Sequence, residues 1–130
     1  MIIKSFRNCL LLISFSYFFS CQGFNRVEHI VGPYYLIEID IKEDLSICYD
    51  LKNDDYLGKI PQTIIEYGYN DSFLIAKTKN HSDQINFYIV DIKKDSALAH
   101  EEDFRFGPMS ESEFVNKWED RLKIRMKSTK

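Results

Sequence analysis

Apolar and polar residues alternate over Tyr35–Lys42, with Tyr35, Ile37, Ile39 and Ile41 on one side and Glu38, Asp40 and Lys42 on the other. A period of two over this length predicts a half-buried strand, because successive strand side chains point to opposite faces. Lys42, Glu43 and Asp44 supply a turn, and "LSICYDL" alternates again with Leu45, Ile47, Tyr49 and Leu51 facing one way. Two such runs so close together predict a hairpin. The following stretch, "KNDDYLGKIPQ", reads as a polar insert.

A second hairpin is predicted from "TIIEYGY", the Asn70-Asp71 turn and "SFLIAKTK", since those turn residues tolerate positive φ or cap their own backbone. "INFYIVDIK" is apolar on both sides, with Ile85, Phe87 and Ile89 opposite Tyr88, Val90 and Ile92. That pattern belongs to a strand covered on both faces, near the middle of a sheet. "SALAHEEDFRF" is compatible with a loop, a helical turn or a short strand at Phe104 to Phe106. Gly107-Pro108 then breaks the preceding element. Ser110 with Glu113 three residues on forms a capping box. Phe114, Trp118 and Leu122 recur at helical spacing behind it, with Trp118 as the expected anchor onto the sheet. Glu111 and Glu113 suit the positive end of the helix dipole, and Lys123, Arg125 and Lys127 the negative end. The expected fold is α+β: an antiparallel meander of about five strands with one C-terminal helix packed on a face. It would occupy residues 33–126 as a single domain, with 127–130 as a tail. No internal repeat is present.

The first twenty residues follow another rule. "MIIKSFRN" is a positively charged start, and "CLLLISFSYFFS" adds about a dozen nearly all apolar residues, short of the roughly 20 a helix needs to span a bilayer. This is the build of a signal segment, residues 1–20. A cut after Ser20 for ordinary secretion would leave bulky Phe18 at the third position before the bond, where a small residue is wanted. A cut before a lipid-accepting Cys21 needs only a small residue next to it, and Ser20 provides one. An uncleaved anchor and an unmodified cytosolic thiol are the other readings of the same residues. "FFSC" resembles a relaxed form of the bacterial lipobox, departing from it at Phe18 and Phe19. The resemblance implies that Cys21 is the lipidation site and the first residue of the mature protein, followed by a polar tether over 21–32. Gln22 in place of Asp, and no acidic cluster directly after the cysteine, then imply a cell-envelope protein held on an outer membrane and facing the periplasm. Two or three acyl chains would hold it durably, since each buried methylene contributes about 0.8 kcal/mol.

Removing the segment takes away Lys4 and Arg7 and leaves 15 basic against 20 acidic side chains, a formal charge of −5. Affinity for a phosphate backbone comes mainly from Lys and Arg, so nucleic acid is not an expected partner. With Cys9 in the signal segment and Cys21 lipidated, Cys48 would be the remaining thiol, and no disulfide could form. It lies in a strand pattern with no base beside it, which is the setting of a small packed side chain.

Chemistry-bearing clusters are sparse. His29, His81 and His100 occur singly; "HEEDF" sets His100 beside Glu101, Glu102 and Asp103, but neighbouring residues point different ways and no second histidine follows at helical spacing. Asp54 and Asp55 lack the alternating ligands of a calcium loop. No Gly-rich phosphate cradle, nucleophile elbow or CxxC occurs. Catalytic residues, a metal site and a cofactor are therefore not expected. Tyr67 with Tyr69, and Tyr34 with Tyr35, are candidates for core and edge packing, or for an aromatic surface suited to a protein or glycan.

The body, through "INFYIVDIKKD" and "GPMSESEF", resembles a group of small uncharacterised bacterial lipoproteins, which carries no activity to transfer. The expectation is a membrane-anchored, non-catalytic binding domain with a protein or glycan partner in the envelope. An immunity or inhibitor protein that blocks a toxin or hydrolase at the membrane is the alternative, and an envelope hydrolase stands behind both.

Overall fold

The computed structural model describes residues 26–38 and 44–130. Cys21, the signal segment 1–20, the first residues of the expected tether, and Ile39 and Ile41 lie outside the described residues.

The chain is α+β and mostly strand. Strands β1 (Arg26–Val31), β2 (Tyr34–Glu38), β3 (Leu45–Lys52) and β4 (Asp55–Ile60) form one antiparallel sheet in chain order. Strands β5 (Ile64–Tyr69), β6 (Phe73–Lys79), β7 (Ile85–Asp91), β8 (Arg105–Met109) and β9 (Lys127–Ser128) form a second, ordered β8-β7-β6-β5-β9. Helix α1 (Glu101–Phe104) precedes β8. Helix α2 (Glu111–Phe114) runs through a π-helical turn, Val115–Glu119, into α3 (Asp120–Leu122).

The antiparallel meander and the terminal helix are as the pattern predicts, but among the described residues nine strands in two sheets stand where about five in one were expected. Three segments account for the difference. Arg26–Val31, expected inside a polar tether, is a strand paired with β2. Asp55–Ile60, expected in a polar insert, pairs with β3 across a turn in which Lys52, Asn53 and Asp54 all take positive φ. Lys127 and Ser128, expected in a tail, pair with Tyr67 and Glu66 of β5. Gly107-Pro108 does not end its element either, because β8 runs through it. That strand is the sheet's edge, where a missing N–H costs no ladder bond.

The two sheets face each other. Tyr34 and Leu36 of β2, Leu45 and Ile47 of β3, and Ile60 of β4 meet Ile64, Tyr67, Leu74, Ala76, Tyr88 and Val90 of the second sheet, with Phe104 of α1 closing one side. The expected apolar side of β2 is thus corrected, since Tyr34 and Leu36, with no exposed surface, make the inter-sheet core rather than Tyr35. The other side of the second sheet carries Ile75, Phe87, Ile89 and Met109, and Phe114 and Leu122 bury onto it. β7 therefore packs on both faces, which explains the apolar run from Phe87 to Val90. Each side chain buried in this way contributes ~1.5–3 kcal/mol.

Ser110 caps α2 by accepting a hydrogen bond from the Glu113 backbone N–H at 3.2 Å. Phe114 stacks on Phe87 with centroids 4.6 Å apart and planes 9° from parallel. Trp118, half-buried, touches Phe106 and Phe73 at 4.8 and 6.4 Å. Phe114 is thus the deeper anchor. Lys123 ends the helix in the left-handed region, at φ 50°.

Candidate functional site

Among the described residues, two gatherings of polar side chains stand out: a sealed cluster between the sheets and a cleft at one end of them.

The cluster arises from a bulge. Cys48 pairs with Gly58 and Ile47 with Ile60, so Lys59 is the extra residue of β4, and it turns inward beside Ile60. Its ammonium donates to Asp95 Oδ1 at 2.8 Å and to the Ser96 carbonyl at 2.9 Å. Asp95 Oδ1 also accepts the Ser96 N–H at 2.8 Å, and Oδ2 accepts the Tyr34 hydroxyl at 2.7 Å. The ammonium lies 4.2 Å from the Phe104 ring centroid and 5.2 Å from that of Tyr49, which meets Tyr34 edge-on. Lys59 and Asp95 side chains are 2% and 0% exposed. Burial, with the Asp95 carboxylate beside it, pushes the Tyr34 hydroxyl far above its ordinary range. Every buried side-chain donor and acceptor described here has a partner. A charge pair so enclosed and so fully bonded holds the loop after β7 against both β2 and β4.

The cleft opens at the other end of the sandwich. Leu45, Ile64 and Ile65 are its apolar lining, with Arg26, Lys79, Lys130 and Glu38 around them, and its volume is ≈ 430 Å³. Arg26 ties this end together by donating to the Thr129 carbonyl at 3.1 Å and to Glu28 at 2.6 Å. Glu28 also accepts the Tyr67 hydroxyl at 3.2 Å, and its carboxyl is held below the usual carboxylate range, chiefly by the Arg26 hydrogen bond. The Lys127 ammonium lies over the Tyr67 ring at 4.9 Å, and its contact with the Tyr67 hydroxyl raises its pKa. A neighbouring groove, lined by Tyr67, Gly68, Tyr69, Arg125, Met126 and Lys127, runs beside β9.

The residues singled out from sequence are scattered through the fold. Cys48 is buried, and burial alone pushes its thiol up to about 11, away from the reactive thiolate. His29 lies against Tyr35 on the outer face of the first sheet, their rings tilted by 52°, and Tyr35 also meets Tyr56 there. His100 supplies its carbonyl to the Asp103 N–H, and Glu101 pairs with Arg105 at 3.0 Å. Among the described residues no three His, Cys, Asp or Glu side chains are grouped to hold a metal ion. Asp54 and Asp55 lie in and beside the β3–β4 turn. Tyr34 and Tyr67 are core residues, whereas Tyr69 is exposed. Lys59 and Asp95 stand in no recognisable motif of the sequence. The only local signal was "GKI", a glycine followed by a cation and an apolar residue where a bulge turns two successive side chains inward.

Among the described residues no helix is long and apolar enough to cross a membrane. Residues 31–129 match the model of a family described as "Protein of unknown function (DUF3997)". No curated protein and no solved structure matched the chain.

Proposed function

Because the chain belongs to the DUF3997 family, whose function is unknown, we propose that it is a lipid-anchored, non-catalytic binding domain of the cell envelope. Attachment is through Cys21, and the domain faces the periplasm from an outer membrane. The carrying observation is the cleft of ≈ 430 Å³, an apolar lining with charged groups around it, as ligand pockets are built. Its polar groups can orient a protein or glycan end, and Leu45, Ile64 and Ile65 can take an apolar portion of it. The strongest polar constellation, Lys59 with Asp95 and Tyr34, is sealed by Phe104 and Tyr49 and fits a structural role better than a catalytic one.

Two measurements test this. Metabolic labelling with an alkyne fatty acid should tag the wild-type chain and spare Cys21→Ala; equal labelling of the two would end the anchoring part. A photo-cross-linking residue at Lys79, in the cleft, should give a discrete adduct in native envelopes. The same residue at Lys94, in the turn after β7, should give none. Identical adduct patterns from the two positions would remove the cleft as the binding site.

A further inference from the structure

The acidic charge of this domain is not evenly spread. All 20 acidic side chains lie before residue 121, and residues 121–130, "RLKIRMKSTK", hold five basic residues and no acid. The fold displays this segment along one edge of the sandwich. Leu122 is buried and Ile124 and Met126 are half-buried against the second sheet, while Arg121, Lys123, Arg125, Lys127 and Lys130 are exposed. Gly68 makes this close docking fit: a Cβ there would lie 2.6 Å from the Arg125 carbonyl oxygen and 2.7 Å from Ile124 Cγ2. The acids flanking the stripe are engaged, Glu28 with Arg26 and Tyr67, and Glu66 with Lys77. Glu119 and Asp120 precede it on the helix.

The stripe ends beside the start of the domain. Arg26 bonds the Thr129 carbonyl, and Arg26 is five residues after Cys21. Five residues span at most roughly 18 Å when fully extended. We propose that residues 121–130 form a basic docking surface for anionic lipid headgroups, which lays this edge of the sandwich against the membrane. The inference rests on the anchoring reading for its geometry. An anchor at Cys21 keeps Lys130 within reach of the bilayer, and each basic residue near an anionic surface strengthens the contact. An anionic surface repels the rest of the domain, −10 in formal charge over residues 22–120, so the basic edge orients a domain that a tether alone would leave free to rotate.

The test uses the full chain reconstituted in phosphatidylcholine vesicles with and without phosphatidylglycerol. Lysine acylation by a soluble amine reagent is read by mass spectrometry. Labelling of Lys127 and Lys130 should fall at least about threefold when the anionic lipid is present, and high salt should restore it. Lys52 and Lys94, at the opposite end of the strands, should label equally in both. Replacing Arg121, Lys123 and Arg125 by Gln should make the labelling of Lys127 and Lys130 nearly indifferent to lipid charge. Equal labelling in both lipid compositions would overturn the proposal, as would an equal fall at Lys52 and Lys94. Protection that requires added envelope protein and ignores lipid charge would assign the stripe to an acidic protein and overturn it too. Failure of the anchor is read separately, by fatty-acid labelling of Cys21→Ala, and charge-dependent protection would survive it.

Discussion

Tyr34 donates its hydroxyl hydrogen to Asp95 Oδ2 at 2.7 Å, joining residues 61 apart in sequence, and the same carboxylate takes the Lys59 ammonium at 2.8 Å. Removing one partner leaves the other charge buried without compensation. Asp95→Ala is therefore expected to cost ~3–5 kcal/mol of stability. The double variant Lys59→Met with Asp95→Asn removes both charges and keeps an acceptor for Tyr34. It should lie within about 1–2 kcal/mol of wild type. Urea unfolding of the single and double variants decides the matter; a double variant as weak as Asp95→Ala would show that the charge pair is not what holds this loop.

Alkaline pH should test two buried protons, one of them in this cluster. The Cys48 thiol is pushed from 9.0 up to about 11 by burial, and the Tyr34 hydroxyl is raised from 10.0 in the same direction. In both, the native state keeps a proton that the unfolded chain has released, so stability is whole below the ordinary values and falls as pH rises through them. The urea midpoint should decline from pH 9.0 upward, less steeply in Cys48→Ala, and less steeply again in Cys48→Ala with Tyr34→Phe. A wild-type slope in the double variant would rule these groups out as its source.

On the second sheet, Phe114 is 5% exposed and stacked on Phe87, whereas Trp118 lies over the rim at Phe106. Phe114→Ala should cost ~3–5 kcal/mol, as deletion of a buried aromatic does, and Trp118→Ala clearly less. Trp118 is the one tryptophan in the sequence, so its emission reports helix docking directly. In Phe114→Ala the emission should shift toward that of a solvated indole before the sheets unfold. Equal losses in the two variants would contradict the assignment of Phe114 as the deeper anchor.

What could be read from the sequence follows how regular each element is. β3, β5, β6 and β7 keep period two or a continuous apolar run, and the capping box at Ser110 announces its helix through one side-chain bond. β4 was hidden because Asn53 and Asp54 form the turn and the bulge at Lys59 breaks the alternation. β1 was hidden because Arg26 and Glu28 occupy the face on which Ile30 is buried, and because its register slips between His29 and Val31. The Lys59–Asp95 pair was out of reach for another reason. Its partners are 36 residues apart, and only the packing of two sheets brings them together. The cleft is likewise a product of tertiary structure, since Arg26, Lys79 and Lys130 come from distant segments.

Gly68 offers the most local handle on the basic edge. A methyl group there would press on the Arg125 carbonyl at 2.6 Å and Ile124 Cγ2 at 2.7 Å. The first of these is backbone, so relief requires the segment after α3 to move outward. Gly68→Ala should cost ~1–3 kcal/mol, the usual range for overpacking a well-filled site. It should also loosen β9, whose ladder to β5 comprises Glu66 with Ser128 and Tyr67 with Lys127. Amide hydrogen exchange at residues 125–129 should therefore quicken more than exchange in β7, which is not paired with β5. The inter-sheet core should hold, because Gly68 pairs with Ile75 on the face away from it. Exchange that rises uniformly across both sheets would mean that the tail is not a separable element, and unchanged exchange would mean that Gly68 is not what seats it.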